Sequence, residues 1–123
     1  MKALPFLLVL FLLIACAENT EEQEVKTPPS PLPVATTNGA VTAFESEGMQ
    51  QVYVFGGLGK EKDYKGITRR SFRYDLEDGR WAELPPLPDT LGKIAAAASQ
   101  IGDKLYIAGG YHVFADGHER SSN

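Results

Sequence analysis

The chain contains few of the residues that usually build chemical centres. Among its 123 residues there is one cysteine, so no disulfide can form within the chain, and there are only two histidines. Basic residues number 12 against 16 acidic ones, which gives a formal net charge of −4. That balance does not suggest a nucleic-acid partner, because such partners require a basic surface. We expect no bound cofactor.

Long hydrophobic runs are also scarce. Met1 and Lys2 give a short cationic start, and the segment from Leu4 to Ile14 is uncharged and almost wholly apolar. This run is shorter than the roughly 20 residues that a helix needs to cross a bilayer. The pattern predicts a signal peptide over residues 1–15 rather than a permanent transmembrane helix.

The apolar run ends in Leu13-Ile14-Ala15-Cys16. These four residues resemble the lipobox of bacterial lipoproteins, and the resemblance implies a lipid attached to the Cys16 thiol. Several acyl chains would anchor the protein stably, whereas one chain alone is marginal. The expected location is the cell envelope, on the periplasmic side of the outer membrane where the organism has one. The alternative is an ordinary secretory signal in which the cysteine is incidental.

Residues 16–33 are predicted to be a disordered tether. After Cys16 this stretch contains four glutamates and four prolines but only three aliphatic residues, too few to bury a core. Extended at about 3.1 Å per residue, it would reach roughly 50 Å from the membrane.

From Val41 onward the sequence repeats itself. The segment 41–57 lies over the segment 94–110 without a gap, at an offset of 53 residues, and each copy ends in a glycine pair. Each copy has an apolar run, a turn, and a β-branched and aromatic run, which together indicate a hairpin. Between the copies, residues 72–76 and 80–84 form a second predicted hairpin closed around Asp78-Gly79. One unit is therefore four antiparallel strands in about 50 residues.

The combination of these motifs resembles the kelch family, over residues 34–123. The residues that carry the resemblance are two glycine pairs, an aromatic pair on the outer hairpin, and the following Leu-Pro-Pro-Leu-Pro segment: Gly56, Gly57, Gly109, Gly110, Tyr74, Trp81 and residues 84–88. The resemblance implies an all-β fold, a kelch-type β-propeller of four-stranded antiparallel blades. We interpret these motif residues as structural.

Elementary packing arguments favour the same architecture. The run from Ile94 to Ser99 has small side chains, which suit the crowded innermost strands of a propeller. A glycine pair permits a bend and a close backbone approach that a Cβ would obstruct. Tyr74 and Trp81 offer large apolar faces, each with a polar atom to satisfy.

A propeller needs several blades to bury its faces. We expect a first blade over about residues 40–85 and a second that begins at about 93–123, so that only about one and a half blades are present. The sequence is interpreted as an N-terminal fragment, with assembly of several copies into one ring as the alternative.

Loop lengths indicate where a ligand would bind. Antiparallel order sends the short turns at 46–50, 76–79 and 101–104 to one face, and the segments 58–70, 85–93 and from Tyr111 to the other. The candidate ligand-binding residues on the second face are Tyr64, Arg69, Arg70, Lys93 and His112. An arginine can fork onto a carboxylate or phosphate, and alternation should send Arg69 and Arg70 in different directions. His112 and His118 with Asp116 offer a metal site only as a remote alternative, and we expect no metal.

Three classes of function remain open. The leading hypothesis is a membrane-anchored module that binds a small molecule, carbohydrate or protein, because no catalytic constellation is visible. The runner-up is an enzyme: some exported bacterial kelch propellers are similar to sialic-acid mutarotases, which interconvert sugar anomers by acid-base chemistry. A copper enzyme similar to galactose oxidase is third. Its cofactor needs a tyrosine cross-linked to a cysteine, and the one cysteine of the chain, Cys16, is the predicted lipid site.

Overall fold

A computed structural model of the chain describes residues 29–122. This part is built from seven β-strands and one turn of 3-10 helix, Tyr64–Gly66, which confirms the all-β prediction. The strands are β1 (Ala40–Ser46), β2 (Met49–Phe55), β3 (Ser71–Asp75), β4 (Arg80–Leu84), β5 (Ile94–Ile101), β6 (Lys104–Val113) and β7 (Glu119–Ser121). The predicted signal peptide, Cys16 and the tether up to residue 28 lie outside the described residues.

The first sheet is the predicted four-stranded unit. Its strands follow one another in the order β1-β2-β3-β4, all antiparallel. The turn between β3 and β4 is shaped by Asp75, whose Oδ1 accepts the backbone N–H groups of Glu77 at 3.0 Å and Asp78 at 3.1 Å. The Asp78 amide, together with the side chain of Gln51 and the Glu77 amide, holds the pKa of Asp75 below its ordinary value. Gly79 completes the turn at φ 65°.

The second sheet has the order β5-β6-β7. Its short third strand pairs with residues 111–113, beyond the Gly109-Gly110 pair. The first copy has one bridge at the equivalent place, between Leu58 and Ile67, and β3 begins only afterwards. The strand β7 therefore occupies the place of the Leu58–Ile67 bridge, which precedes the third strand in the first sheet. The two sheets together amount to the expected one and a half blades.

The two inner hairpins differ in length, which corrects the gapless overlay of the copies. Leu58 and Tyr111 are equivalent positions of the second strands, at the predicted offset of 53 residues. Their pairing partners in the first strands, Thr37 and Ile94, are 57 residues apart, so the first strands do not follow the same offset. Asn38 and Ala95, the next residues, share the same φ of 55°. The β1–β2 hairpin is therefore two residues longer in each strand than the β5–β6 hairpin.

The first glycine pair lies where the backbone of the first sheet meets the start of β5. Gly57 has φ 102°, and a Cβ there would lie 2.4 Å from Thr36 Cγ2 and 2.8 Å from the Thr37 carbonyl oxygen. Its N–H donates to the Lys93 carbonyl at 2.8 Å, which joins the first sheet to the start of β5. Only a residue without a side chain fits this approach.

The core lies between the two sheets. Ala40, Phe55 and Leu87 are buried there, and partly buried side chains pack against them: Tyr53, Ala96, Ala98, Leu105 and Ile107. The small residues of β5 thus lie against β1, as the inner-strand prediction required. At the far end of the same boundary, Gln100 donates to the Glu45 carbonyl at 2.8 Å and accepts the Glu45 N–H at 2.9 Å.

The opposite surface of the first sheet carries the aromatic pair. The rings of Tyr74 and Trp81 lie 5.0 Å apart on adjacent strands. The Trp81 Nε1–H donates to the Ser30 carbonyl at 2.9 Å, and the Ser30 hydroxyl donates to the Gly79 carbonyl at 3.1 Å. The segment that leads into the first sheet is therefore held against its outer hairpin. Within the described range, no helix has the length and apolar character to cross a bilayer.

Candidate functional site

The strand ends divide the molecule into two faces. Two-residue turns close β1–β2 and β5–β6, and a four-residue turn closes β3–β4; we call this end the short-turn face. The long-loop face is formed by residues 56–70, 85–93 and 111–122. All five predicted ligand residues lie on this second face, in two separate groups.

Arg70 is held by an ion pair. Its Nε and Nη2 donate to the two carboxylate oxygens of Glu83 at 2.8 and 2.9 Å, and its guanidinium lies 5.0 Å from the centre of the Phe72 ring. The bond to Glu83 raises the pKa of Arg70, and the same bond lowers the pKa of Glu83. The fork of Arg70 is thus already occupied by a carboxylate of its own sheet.

Arg69, two residues before β3, and Lys93, one residue before β5, converge on Asp89. Arg69 Nη1 donates to the Asp89 carbonyl at 2.6 Å. Lys93 Nζ lies 2.6 Å from the Asp89 carboxylate, donates to the Ser122 hydroxyl, and has a side chain that is only 9% exposed. Lys93 therefore holds the loop 85–93 against the end of the second sheet. Arg69 and Arg70 leave the chain in different directions, toward Asp89 and Glu83.

His112 lies beside the same loop. Its Nδ1 is 2.9 Å from the Gly92 carbonyl oxygen, and because a carbonyl only accepts, Nδ1 carries the hydrogen. In the neutral ring, Nε2 is then a hydrogen-bond acceptor. The ring packs edge-on against Phe114. A groove of about 140 Å³ runs past it, lined by Asp89, Thr90, Leu91, Gly92, His112, Arg120, Ser121 and Ser122.

Tyr64 belongs to the other group. It is exposed at the start of the 3-10 helix, which Asp63 caps by accepting the Lys65 N–H at 2.9 Å. Next to it lies a wider groove of about 530 Å³, whose lining includes Lys60, Lys65 and Arg70 above the buried Phe72. Arg70 thus lines the wider groove and His112 the narrower one, whereas Tyr64 lines neither of them.

Sequence reasoning missed two polar residues that line the narrow groove. Asp89 is the common partner of Arg69 and Lys93, and its spacing of four residues from Lys93 was the available signal. Arg120 lies in β7 and lines the groove. Its segment of the sequence has no recognisable motif, so the sequence offered no signal for it. No cluster of three or more side chains able to hold a metal ion occurs between residues 29 and 122.

Comparison with known proteins places these features in context. No family profile matches the chain. An N-acetylneuraminate epimerase of Haemophilus influenzae (strain PittEE) is 38% identical over 61 residues, which cover 49% of this chain and 16% of that protein, and the protein of strain 86-028NP matches equally. The human Kelch repeat and BTB domain-containing protein 12 is 34% identical over 76 residues, 56% of this chain and 12% of that protein.

The sheets are kelch-type propeller blades. Each kelch blade motif has a visible structural role here: Gly56 and Gly57 admit the neighbouring backbone, and Tyr74 packs on Trp81. In the second kelch blade, a Cβ on Gly110 would meet the Ile94 carbonyl oxygen at 2.8 Å. The chain spans about a sixth of the length of the epimerases that it matches.

Proposed function

We propose that the protein is anchored in the bacterial cell envelope by lipid on Cys16 and that its propeller binds a small acidic or carbohydrate-like ligand on the long-loop face. The observation that carries this proposal is a polar groove lined by Asp89, His112 and Arg120, with Arg69 and Lys93 both bonded to Asp89 beside it. The loop segments 58–70, 85–93 and 111–122 together contain seven cations and five anions. This balance favours an anionic ligand over a cationic one.

The contacts divide the candidate residues into framework and ligand-binding groups. Lys93 is buried against Asp89, and Arg70 is paired twice to Glu83, so both act on the framework. Arg69 makes one hydrogen bond through Nη1, which leaves further N–H groups for a carboxylate or hydroxyl. His112 Nε2 and Arg120 complete the proposed site, and Tyr64 offers a ring for a larger ligand.

A second candidate function is anomer interconversion of a sialic acid. The identity with the proteins named N-acetylneuraminate epimerase favours it, and the fixed tautomer of His112 supplies one group able to accept a proton. In that case the native protein accelerates exchange between the two anomers of N-acetylneuraminate, measured by exchange NMR. His112→Gln should slow the exchange if this ring takes part, and a rate equal to that of buffer would exclude the activity.

Calorimetry on the native protein with N-acetylneuraminate as the probe tests the binding site. We expect Arg69→Ala to weaken binding about 10- to 150-fold, the typical range for a lost charge-assisted hydrogen bond. Arg70→Ala is the matched control and should leave the affinity nearly unchanged, because the Arg70 guanidinium is already hydrogen-bonded to Glu83. If both substitutions and Tyr64→Ala leave the affinity of the wild type intact, the site lies elsewhere.

Metabolic labelling tests the anchor separately. Because the Leu13-Ile14-Ala15-Cys16 segment resembles a lipobox, labelled palmitate should enter the wild-type protein and should not enter Cys16→Ser. The variant should also leave the membrane fraction. Equal labelling of the two proteins would rule out lipid on Cys16 and leave the ligand-binding proposal untouched.

A further inference from the structure

Within residues 29–122, each sheet has one face that the other sheet does not cover. Ala40 and Phe55 of the first sheet lie in the core between the sheets. Because side chains alternate along a strand, the opposite face of β1 and β2 carries Val41, Ala43 and Val52. Val41 is 58% exposed. We call this surface the open face of the first sheet.

The second sheet has an open face of its own. Its side chains that pack toward the first sheet are Ala96, Ala98, Leu105 and Ile107. The residues that alternate with them point the other way and form the open face of the second sheet: Ala97, Ser99, Ile101, Lys104, Tyr106 and Ala108. Ile101 is 63% exposed and Tyr106 is 50% exposed. Large apolar side chains exposed together on one sheet face typically mark an interaction surface.

The two open faces are the two halves of a contact that the molecule already makes once. The first strands of the repeats are offset by 57 residues and the second strands by 53. With these offsets, the open face of the second sheet repeats the face that the first sheet packs on the second: Ala97, Ser99, Ile101 and Tyr106 correspond to Ala40, Thr42, Phe44 and Tyr53. Val41 likewise corresponds to Ala98, on the face that the second sheet packs on the first. A second copy can therefore repeat the contact between the sheets.

The N-terminal segment leaves the required part of the first sheet free. Ser30 is bonded to Trp81 on the outer hairpin, and residues 33–36 line one groove with Phe72 of β3. This segment therefore lies over β3 and β4 and leaves Val41 on the inner hairpin exposed. The second sheet consists of an inner hairpin and the three-residue strand β7, so its open face needs only the inner hairpin of another copy.

The short-turn ends of the two open faces carry opposite charges. Glu45 follows Ala43 on the open face of the first sheet, and Lys104 precedes Tyr106 on that of the second. Both charged residues are exposed, and neither has an ion-pair partner within residues 29–122. At this same end, Glu45 and Gln100 join the two sheets of one copy. A second copy that repeats this arrangement brings Lys104 close to Glu45, and the opposite charges favour the contact.

We propose that copies of this chain associate head to tail, with the open face of the second sheet of one copy packed on the open face of the first sheet of the next. Such a contact joins two different surfaces, so it closes into a ring when its rotation divides a full turn. Because propellers have about four to eight blades and each copy supplies two sheets, the expected ring contains two to four copies. The contact uses neither the grooves of the long-loop face nor Cys16, so it is independent of the function proposed above.

Sedimentation velocity of the full chain in mild detergent tests the association. The native protein should form species of two to four copies as its concentration is raised. Val41→Glu and Ile101→Glu should each weaken association at least about a hundredfold, because each buries an unpaired carboxylate. An equimolar mixture of the two variants should form a dimer of one copy of each. In that mixture, the intact second sheet of Val41→Glu meets the intact first sheet of Ile101→Glu, and the blocked faces prevent further growth.

Leu76→Glu is the matched control. Leu76 is 48% exposed in the β3–β4 turn of the outer hairpin, which the second copy does not need, so this variant should associate like the native protein. Chance occupation of one micelle by two copies would affect all variants alike. The ionic contact is tested by Lys104→Glu, which should weaken association about fivefold or more, and by Lys104→Glu combined with Glu45→Lys, which should restore it.

The fold of each variant is checked by the emission of Trp81, which should match that of the native protein because Val41 and Ile101 are exposed in a single copy. The proposal is overturned if the native protein stays monomeric, if the mixed variants form no dimer, or if Leu76→Glu disrupts association as strongly as Val41→Glu. If the emission of either glutamate variant differs, the charge-exchanged pair decides, and a failure of Glu45→Lys to restore association overturns the proposal.

Discussion

Arg70 illustrates how an exposed cation loses its availability to a ligand. Two parallel bonds to Glu83 and the face of Phe72 hold its guanidinium on β4. Arg69, one residue earlier, reaches the loop 85–93 instead. The alternation of strand residues predicts the divergence of the two side chains, but it does not predict which one keeps free donors. That depends on the Glu83 carboxylate, 13 positions after Arg70, and on the Asp89 backbone carbonyl, 20 positions after Arg69.

The Arg70–Glu83 pair should contribute to stability only where Glu83 is ionised. Its pKa is lowered by the bond to Arg70, so the contribution is present above the ordinary pKa of a glutamate and is lost as the pH falls through the lowered value. Thermal unfolding of the native protein and of Glu83→Gln should therefore show a small difference in midpoint near pH 7 that vanishes in acid. The pair is solvent-exposed, so the difference shrinks with added salt.

Glu77→Gln is the control for that experiment. Glu77 is an exposed carboxylate in the β3–β4 turn, and its side chain has no cationic partner within residues 29–122. Its substitution should leave the pH dependence of the midpoint unchanged. A pH-independent loss of stability in Glu83→Gln would contradict the ionic origin of the effect.

Single residues also show where the sequence was silent. The indole of Trp81 was expected to need a polar partner, and the structure supplies the Ser30 carbonyl, 51 positions away. Ser30 lies in a stretch whose composition predicts a tether. Composition reports how much apolar surface a segment can bury, and it carries no information on a backbone carbonyl that meets one specific donor.

At the scale of the element, the glycine pairs offer a matched comparison. In Gly57→Ala, the new Cβ would overlap Thr36 and the Thr37 carbonyl at a φ of 102°. In Gly109→Ala the φ is 68°, but no atom lies within 4 Å of the Cβ. Both variants put an alanine in the left-handed conformation, which lowers the free energy of unfolding by on the order of 1–3 kcal/mol. Only Gly57→Ala adds a clash.

Urea unfolding of the native protein should rank these two variants. We expect Gly57→Ala to lose clearly more free energy of unfolding than Gly109→Ala, since only the Cβ at Gly57 overlaps Thr36 and the Thr37 carbonyl oxygen. Equal losses would mean that the conformation alone matters and that the close approach does not.

Strand patterning predicted the elements well and the inner hairpin length poorly. The outer hairpin, Ser71–Asp75 with Arg80–Leu84, differs from its prediction by one residue at each end of one strand. In the inner hairpin, Glu47 and Gly48 both have positive φ and form the turn. The sequence overlay of the two copies matched Gly48 with Ile101. The glycine pairs and the aromatic runs fix the alignment of the second strands, but they do not determine the alignment of the first strands.

At the scale of the whole molecule, the isolated repeat region should be unstable. Only eight hydrophobic side chains are buried among the described residues. Residues 104–110 of β6 pair with β5 on one side and have no strand on the other, and such edges favour aggregation. Residues 34–123 expressed alone should therefore melt broadly and sediment heterogeneously. A monodisperse monomer with a sharp cooperative melt would contradict this expectation.

The division of the molecule into two faces could be predicted from strand order, whereas the site could not. Loop lengths alone place the five candidate residues on one face. Their grouping around Asp89 and around the wider groove depends on side-chain directions within loops, which have no period.

The boundary between the blades is crossed by backbone amides at both of its ends. The N–H of Gly57 bonds to the Lys93 carbonyl, that of Ala95 to the Asn38 carbonyl at 3.0 Å, and that of Glu45 to the side chain of Gln100. Deuterium uptake at these three amides therefore reports the parting of one blade from the next, while amides inside β2 or β6 report the opening of a hairpin. The Gly57 and Ala95 amides lie at the long-loop end of the boundary, and the Glu45 amide lies at the short-turn end. The order in which the two ends exchange therefore gives the direction in which the blades come apart.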